Sequence, residues 1–225
     1  NIDVKNAYGT IGRRFVFQGL EQLAPGLLHW FRWAYGPESS IHFGDLELLN
    51  GAGVKQGDPL GCLLFCVAVH EVLLTVHREF PRHQLLGLMD DATIIGPSEE
   101  IGTIQSRLQD LFRPLGLQLN LDKTVAWVPG DIPLSSAVNS TTQGFRVLGG
   151  FIGTRDYQMA ALRDEVDSMT TTVDIIQGLP PSLGLPILRA CVNSRPVHLA
   201  RTNAPWLTSD CLRAFDRLID GALLR

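Results

Sequence analysis

The sequence predicts an α+β protein, in which a mixed half with short strands precedes an all-helical tail. Two observations support this prediction. In the first half, two hairpin patterns with two-residue turns flank a long apolar helix. After Gly153 the apolar residues recur at steps of three and four, which is the period of an amphipathic helix. The order along the chain therefore predicts a small antiparallel sheet packed on helices, followed by helices alone.

The composition excludes wholesale disorder and sets limits on partners. Of the 225 residues, 45% are hydrophobic and 19% are charged, so a sizeable core can be buried. The net charge of −4 does not indicate a strongly basic nucleic-acid binder. It does not exclude nucleic acid either, because carboxylates that hold metal ions contribute to that negative charge.

Nothing at the start of the chain has the pattern of a signal peptide, and the longest apolar run, residues 60–69, is too short to cross a bilayer. We therefore expect an intracellular protein, in the nucleus or the cytoplasm, without a membrane partner. The chain begins with Asn1 inside a strand-like segment, so we expect a fragment of a longer protein.

In the first half, residues 1–4 are typical of a strand end, and residues 11–24 and 26–35 of helices that Pro25-Gly26 interrupts. Two strand patterns, 39–43 and 46–50, flank Gly44-Asp45 and predict a hairpin. Asp58-Pro59 then predicts the start of a helix that is apolar on nearly all faces and therefore central to the core.

Downstream, residues 85–89 and 92–95 predict a second hairpin with Asp90-Asp91 as its turn. A helix follows from Pro97 to Gly116, and then short strands at 117–119 and 147–152 with a loop between them at 129–144. The tail predicts a long amphipathic helix, shorter helical stretches at 183–193 and 195–201, and a last helix that begins at Thr208-Ser209.

Three carboxylates occupy positions that could converge. Asp3 ends the first strand, and Asp90 and Asp91 lie at the tip of an apolar hairpin. Taken singly, each is typical of a solvated turn or a cap. If the strands are neighbours, the three like charges meet at one sheet edge, and divalent cations with hard oxygen ligands would relieve their repulsion. Mg²⁺ or Mn²⁺ would suit such a site.

Five segments then follow one another along the chain: Asp3-Val-Lys-Asn-Ala-Tyr8, Gly53-Val-Lys-Gln-Gly-Asp-Pro-Leu-Gly61, Leu88-Met-Asp-Asp91, Gly116-Leu-Gln-Leu-Asn120 with Lys123-Thr124, and Leu148-Gly-Gly-Phe-Ile-Gly153. In this order they resemble motifs A to E of reverse transcriptases, most closely those of non-LTR (LINE-like) retrotransposons. Any one match could be chance, but the ordered set is specific.

This resemblance implies a polymerase palm over residues 1–153 and a helical thumb or connection region over residues 154–225, with the fingers upstream of Asp3. It implies an RNA-directed DNA polymerase, which adds dNTPs to the 3′-hydroxyl of a DNA primer on an RNA template. Two Mg²⁺ or Mn²⁺ ions would assist the attack of the primer hydroxyl on the dNTP and the departure of pyrophosphate. The oligomeric state is not predicted.

The resemblance also implies residue roles around the metal ions. Asp3, Asp90 and Asp91 would be the metal ligands, and the main-chain carbonyl of Val4 would add an oxygen. Tyr8 would be the sugar gate, a ring that leaves no room for a ribose 2′-hydroxyl. Without the motif, Tyr8 would be taken as a half-buried aromatic at a helix start.

Further roles concern the substrates. Gln56 and Gly57 would lie under the nascent base pair, since glycine permits close backbone approach and glutamine offers both a donor and an acceptor. A glycine-rich loop needed only to start the buried helix is the open alternative for the other glycines of the segment. Met89 would contact the substrate, although the residue before it, Leu88, stands where the family usually has an aromatic residue.

Lys123 would approach the triphosphate and could protonate departing pyrophosphate, unless it is a surface lysine. Gly149 and Gly150 would let a primer-grip backbone lie against the primer end, and a β-bulge would explain them almost as well. Two further classes of function remain open. One is an inactive or domesticated reverse-transcriptase remnant that binds RNA or protein. The other is an RNA-dependent RNA polymerase, against which Tyr8 argues.

Overall fold

The computed structural model describes residues 1–130 and 138–223, which form two compact units. The first unit comprises Asn1–Ala126 with residues 138–140, and the second comprises residues 127–130 and 141–223. The division of function at residue 153, between a palm and a thumb-like tail, stays a prediction. The fold is α+β, with small antiparallel sheets among helices, as the sequence predicts.

The described part of the first unit contains short hairpins and five α-helices. The helices are α1 (Ala7–Thr10), α2 (Arg13–Leu23), α3 (Leu28–Tyr35), α4 (Gly61–Glu79) and α5 (Ile101–Phe112). The strands are β1 (Ser39–Phe43), β2 (Leu46–Asn50), β3 (Gln84–Leu88), β4 (Asp91–Ile95) and the first residue of β5 (Ala126–Trp127). A 3₁₀ turn, Pro25–Leu27, separates α2 from α3, at the predicted break.

Helix α4 is the centre of the first core, as its apolar sequence predicts. It begins at Gly61, two residues after Pro59, which the sequence predicts as the first helical residue. Asp58 does not cap it directly; its Oδ1 accepts a hydrogen bond from the Leu60 N–H at 2.9 Å and shapes the turn before the helix. By length and composition α4 could cross a membrane, but a buried core helix meets the same criterion, so the observation is weak. The buried residues of α4 are Gly61, Leu64, Phe65, Val67, Ala68, Val69, Val72 and Val76.

Both predicted hairpins form. Strand β1 pairs with β2 over the predicted residues. Strand β3 pairs with β4, but Leu88 faces Asp91, so the two-residue turn is Met89-Asp90 and not Asp90-Asp91. The prediction was one residue out because Met89 takes a left-handed conformation, with φ of 59°, which its residue type does not signal. Asp91 is therefore the first residue of a strand.

The segments at residues 1–4 and 117–119, predicted as strands, form single bridges. Ile2 bridges Ala92 of β4, and Val4 bridges Leu119, both in antiparallel fashion. These segments therefore pair as strands do, but each pairing is only one residue long. The N-terminal segment thus lies between the β3–β4 hairpin and the 117–120 segment, which is the arrangement that a small sheet requires.

The second unit is mainly helical. Its helices are α6 (Arg155–Gln177), α7 (Pro181–Ile187), α8 (Arg195–Thr202) and α9 (Pro205–Leu223), with a π-helical segment at Leu188–Val192. The last helix begins at Pro205, earlier than predicted, since proline suits the first helical turn. Buried residues of the long helix α6 include Leu162, Val166, Met169, Val173 and Ile176, which confirms its predicted amphipathic face.

The predicted single strand at 147–152 is wrong. Strands β7 (Gly144–Val147) and β8 (Gly150–Gly153) pair as a hairpin, with Leu148-Gly149 as the turn. Both turn residues have positive φ, 49° and 79°, which is the geometry of a tight hairpin turn and not of a bulge. Strand β6 (Ser140–Thr141) lies within the predicted loop 129–144, and residues 131–137 of that loop lie outside the described part of the chain.

Gly19 gives a direct test of how α2 packs on α4. A Cβ at Gly19 would lie 2.3 Å from the carbonyl oxygen of Val67, which is helix backbone that cannot move aside alone. We expect Gly19→Ala to lower the free energy of unfolding by ~1–3 kcal/mol, the cost of overpacking, as measured by urea denaturation. Gly26→Ala is the matched control, because a Cβ there meets no atom within 4 Å. Equal stability of the two variants would contradict the packing.

Candidate active site

Main-chain hydrogen bonds on both sides of the N-terminal segment fix the position of Asp3. The Ile2 N–H donates to the Ala92 carbonyl at 2.7 Å, which fixes the segment against β4. On the other side, the Lys5 N–H donates to Gln118 at 2.8 Å, and the Asp3 carbonyl accepts from the Asn120 N–H at 2.9 Å. The backbone of Asp3 is therefore held beside the hairpin that carries the other two carboxylates.

The same pairing orients Val4. Its two neighbours, Asp3 and Lys5, make the hydrogen bonds to the 118–120 segment. In an antiparallel bridge of this type the N–H and C=O of the central residue point the opposite way. The carbonyl of Val4 therefore faces away from that segment, which is the orientation that its predicted role requires.

Asp90 and Asp91 differ in environment although they are adjacent. Asp90 is exposed in the turn, whereas Asp91 is half-buried at the start of β4. Burial raises the pKa of Asp91, and the negative charges of Asp90 and Asp3 raise it further. Asp3 and Asp90 therefore both lie close enough to Asp91 for their charges to affect its protonation.

The chemical types of these groups suit a hard divalent cation, since carboxylate and carbonyl oxygens are its preferred ligands. The side chains are not drawn into a closed cluster: among residues 1–130 and 138–223, no three His, Cys, Asp or Glu side chains are placed to hold a metal ion together. Repulsion between like charges acts over longer distances than coordination bonds, which is why the pKa of Asp91 responds while the ligand geometry stays open.

A small cavity lies directly beneath the hairpin tip. Its volume is about 20 Å³, enough for roughly one water molecule by the usual threshold of ~10–15 Å³. Its lining combines the polar tip with apolar residues of the core: Ile2, Val4, Phe65, Val69, Leu73, Leu85, Gly87, Met89, Asp90, Asp91, Ala92, Leu108 and Phe112. Met89, the predicted substrate contact, thus borders both the tip and the core.

Tyr8 lies on α1 beside the start of α4. Its ring packs on Phe65 with the ring centroids 5.0 Å apart, and its hydroxyl donates to the Cys62 Sγ at 3.6 Å. Burial raises the pKa of the Tyr8 hydroxyl, and the hydrogen bond to Cys62 and the charge of Asp90 act in the same direction. The ring is thus held in one orientation near the carboxylates, as a sugar gate would require.

The loop before α4 presents the two predicted nucleotide contacts. Gln56 and Gly57 are exposed, and Gly57 has φ of 85° with no atom within 4 Å of where a Cβ would lie. Gly53 serves packing, since a Cβ there would lie 2.5 Å from the carbonyl oxygens of Tyr8 and Gly9. Gly53 is therefore required for close packing against the segment that carries Tyr8, whereas Gly57 leaves open space above the loop.

Lys123 lies in the turn that follows the 117–120 segment. Its N–H donates to the Asn120 carbonyl at 3.2 Å, and its side chain is exposed. This position is compatible with the predicted contact to a triphosphate and equally with a surface lysine, so the role of Lys123 stays a prediction.

The predicted grip glycines lie in the second unit. Gly149 is in the β7–β8 turn, where a Cβ would lie 2.4 Å from the His198 Nε2. That histidine nitrogen is 3.0 Å from the Leu148 carbonyl, and the Asn203 Oδ1 accepts from the Phe151 N–H at 3.2 Å. Helix α8 therefore holds the hairpin, and the positive φ of the turn favours glycine at 149. The β-bulge alternative is wrong.

Sequence reasoning missed two residues that contact the loop of residues 50–58, which precedes α4. Arg13 and Tyr35 both hydrogen-bond to it, from α2 and α3 respectively. Arg13 is one of two successive arginines after motif A, and a pattern of charges does not distinguish it from Arg14. Tyr35 reads as one more aromatic of an apolar helix. Only the position of the loop in space identifies them.

Comparison with known proteins agrees with the motifs and the fold. A family model for reverse transcriptase (RNA-dependent DNA polymerase) matches residues 1–152. The chain belongs to the reverse transcriptase family.

The chain is also 28% identical over 145 residues to the "Retrotransposable element SLACS 132 kDa protein" of Trypanosoma brucei gambiense. The match covers 61% of this chain and 12% of that protein, so the chain corresponds to a small part of its relative's length. The family match confirms the predicted reverse transcriptase family, and this relative is a retrotransposable element protein.

The raised pKa of Asp91 predicts how stability depends on pH without divalent cations. Above the ordinary value of 3.8 the folded protein retains the Asp91 proton longer than the unfolded chain does. The free energy of unfolding therefore falls as pH rises from 3.8 through the raised pKa, and above it the charged carboxylate destabilises the fold.

We expect Asp91→Asn to be more stable than the wild type at neutral pH and to lose less stability across that acidic window. Urea denaturation at a series of pH values, with a chelator present, measures this. Asp110→Asn is the control, because Asp110 is exposed and paired with Arg113. If Asp91→Asn were no more stable than this control at neutral pH, the raised pKa of Asp91 would be refuted.

Proposed function

We propose that residues 1–153 are the catalytic palm of an RNA-directed DNA polymerase from a mobile element, and that residues 154–225 belong to its thumb or connection region. The polymerase would join dNTPs to the 3′-hydroxyl of a DNA primer, on an RNA template, with Mg²⁺ or Mn²⁺. The observation that carries the proposal is the bridge between Ile2 and Ala92. It brings Asp3 to the Asp90-Asp91 tip within a chain of the reverse transcriptase family.

In this proposal Asp3, Asp90 and Asp91 bind two divalent ions through carboxylate oxygens, and the Val4 carbonyl adds a ligand. When bound, such ions activate the primer hydroxyl and stabilise the leaving oxygen of pyrophosphate. The open arrangement of the carboxylates is consistent with ligands that close around ions and triphosphate together, since Mg²⁺ usually keeps positions for substrate phosphates. The half-buried Asp91 gains most from neutralisation, because burial and its neighbours disfavour its charge.

Tyr8 would select the sugar of the incoming nucleotide. Its ring is fixed between Phe65 and Cys62, so it cannot swing aside to admit a 2′-hydroxyl without losing both contacts. Gln56 and Gly57 would contact the nascent base pair from the exposed loop, where the bare glycine backbone allows close approach. Met89 borders the same site from the hairpin turn.

The remaining assignments are part of the same proposal. Lys123 would reach the triphosphate from its exposed turn and supply a proton to pyrophosphate. Gly149 and Gly150 would form the primer grip, on a hairpin that His198 and Asn203 hold. A reverse transcriptase of this type would act inside the cell, in the nucleus or the cytoplasm, on RNA and DNA.

The substitution Asp90→Asn tests the metal assignment. It keeps the shape of the side chain but removes the charge that a divalent ion requires. In the full-length protein we expect it to reduce primer extension on an RNA template by about a hundredfold to a thousandfold, because the loss of one group that stabilises transition-state charge usually costs that much. The rate of dNTP incorporation with Mg²⁺ measures this.

Asp45→Asn is the matched control, since Asp45 lies in the two-residue turn of the other hairpin, β1–β2. Extension by Asp90→Asn at the rate of Asp45→Asn would refute the metal role. If the wild type itself extends no primer, the remnant alternative becomes the better account of the chain.

The substitution Tyr8→Ala tests the sugar gate. Removal of the ring opens the space that a ribose 2′-hydroxyl would occupy, so we expect the preference for dNTP over NTP to fall about tenfold or more. The measurement is the ratio of kcat/KM for the two nucleotides. Tyr8→Phe is the control, because it keeps the ring and loses only the hydrogen bond to Cys62. An unchanged ratio in Tyr8→Ala would show that another residue selects the sugar.

A further inference from the structure

We propose that Arg13 and Tyr35 are positioning residues that hold the loop of residues 50–58 in the shape that presents Gln56 and Gly57 to the nascent base pair. This inference rests on the proposed polymerase function and deepens it. Neither residue is among the matched motif residues. Both reach the loop from helices α2 and α3, which lie between motif A and motif B in the chain.

Arg13 holds the first part of the loop. Its Nε donates to the Gly53 carbonyl at 3.0 Å, and its Nη2 donates to the Asn50 carbonyl at 3.0 Å. Its Nη1 donates to the Tyr35 carbonyl at 3.1 Å. One rigid guanidinium thus joins the end of β2, the loop and the end of α3, a task for which its planar fork suits it better than a lysine.

Tyr35 holds the second part of the loop. It is 2% exposed, and its ring stacks on Phe31 with the centroids 5.1 Å apart. Its hydroxyl donates to the carboxylate of Asp58 and accepts from the Lys55 N–H at 3.1 Å. A single buried oxygen therefore fixes the residues on both sides of Gln56 and Gly57.

The loop is also bonded to the element that carries the sugar gate. The Val54 N–H donates to the Tyr8 carbonyl at 2.7 Å, and the Gly53 N–H donates to the Ile11 carbonyl at 3.0 Å. The shape of the loop therefore sets its position relative to Tyr8. If Arg13 or Tyr35 lost its hydrogen bonds to the loop, the distance between Gln56 and Tyr8 would no longer be fixed.

The contrast between the flanks and the tip indicates function. The flanks are hydrogen-bonded at Asn50, Gly53, Lys55 and Asp58, whereas Gln56 and Gly57 stay exposed. A loop needed only to start α4 would not need a buried tyrosine that spans its exposed tip. Preorganisation of a binding loop lowers the cost of ordering it when the ligand binds.

The expected kinetic effect follows from population arithmetic. If a variant loop adopts the competent shape for about a tenth of the time, the apparent affinity for dNTP falls about tenfold. The chemical step on the bound, ordered complex would change little. A purely structural role predicts another result, which is a smaller fraction of folded enzyme with an unchanged KM.

The test compares Tyr35→Phe and Arg13→Lys with two matched controls in the full-length protein. Tyr35→Phe keeps the stacked ring and removes only the hydroxyl, and Arg13→Lys keeps the charge and removes the fork. The controls are Tyr157→Phe, in the second unit, and Arg14→Lys, whose guanidinium contacts the Pro114 carbonyl at 3.4 Å and not the loop. The readouts are KM and kcat for dTTP on a poly(rA) template with an oligo(dT) primer, and the active fraction from the pre-steady-state burst.

We expect both variants to raise the KM for dTTP about tenfold, with kcat within about twofold of the wild type and the active fraction unchanged. The controls should match the wild type. A wild-type KM in both variants, or a loss confined to the active fraction, would overturn the positioning role while the polymerase function stands. Absence of extension by the wild type would overturn the polymerase function and this inference with it.

Discussion

The candidate site depends on one backbone pairing, the antiparallel bridge between Ile2 and Ala92. Asp3 and Asp91 are 88 residues apart in sequence, and this pairing makes them neighbours. The second bridge, from Val4 to Leu119, holds the same segment from its other side and turns the Val4 carbonyl away from residues 118–120. Because side chains and amide groups alternate along an extended chain, a shift of one residue in this pairing would move Asp3 to the opposite face.

Helix α4 links the buried core to the functional surface. Its apolar length packs against α2, where Gly19 permits close approach to the Val67 carbonyl, and its first turns place Cys62 and Phe65 beside Tyr8. The loop that precedes α4 is held by Arg13 and Tyr35. The core therefore supports Tyr8 and the loop of residues 50–58 together, so a substitution that weakens the packing would disturb both.

Sequence patterns predicted local structure well where the signal is local. The β1–β2 hairpin, the core helix α4 and the amphipathic face of α6 follow from short-range periodicity and turn residues. Two of the errors fall where a backbone conformation opposes residue type. Met89 and Leu148 adopt positive φ in hairpin turns, although neither is a typical turn residue, so one turn was misplaced by a residue and one hairpin was taken for a strand.

The sequence by itself determined the family, since the reverse transcriptase family matches residues 1–152 of this chain, which contain nearly all of the ordered motif set. It also singled out the three carboxylates and Tyr8. Only the tertiary structure decided which groups act on one another. The coupling of Asp91 to Asp3, the Tyr8 contact with Cys62 and the hold of Arg13 and Tyr35 on the loop join distant segments. Such contacts depend on how helices and strands pack in space, which periodicity along a chain does not specify.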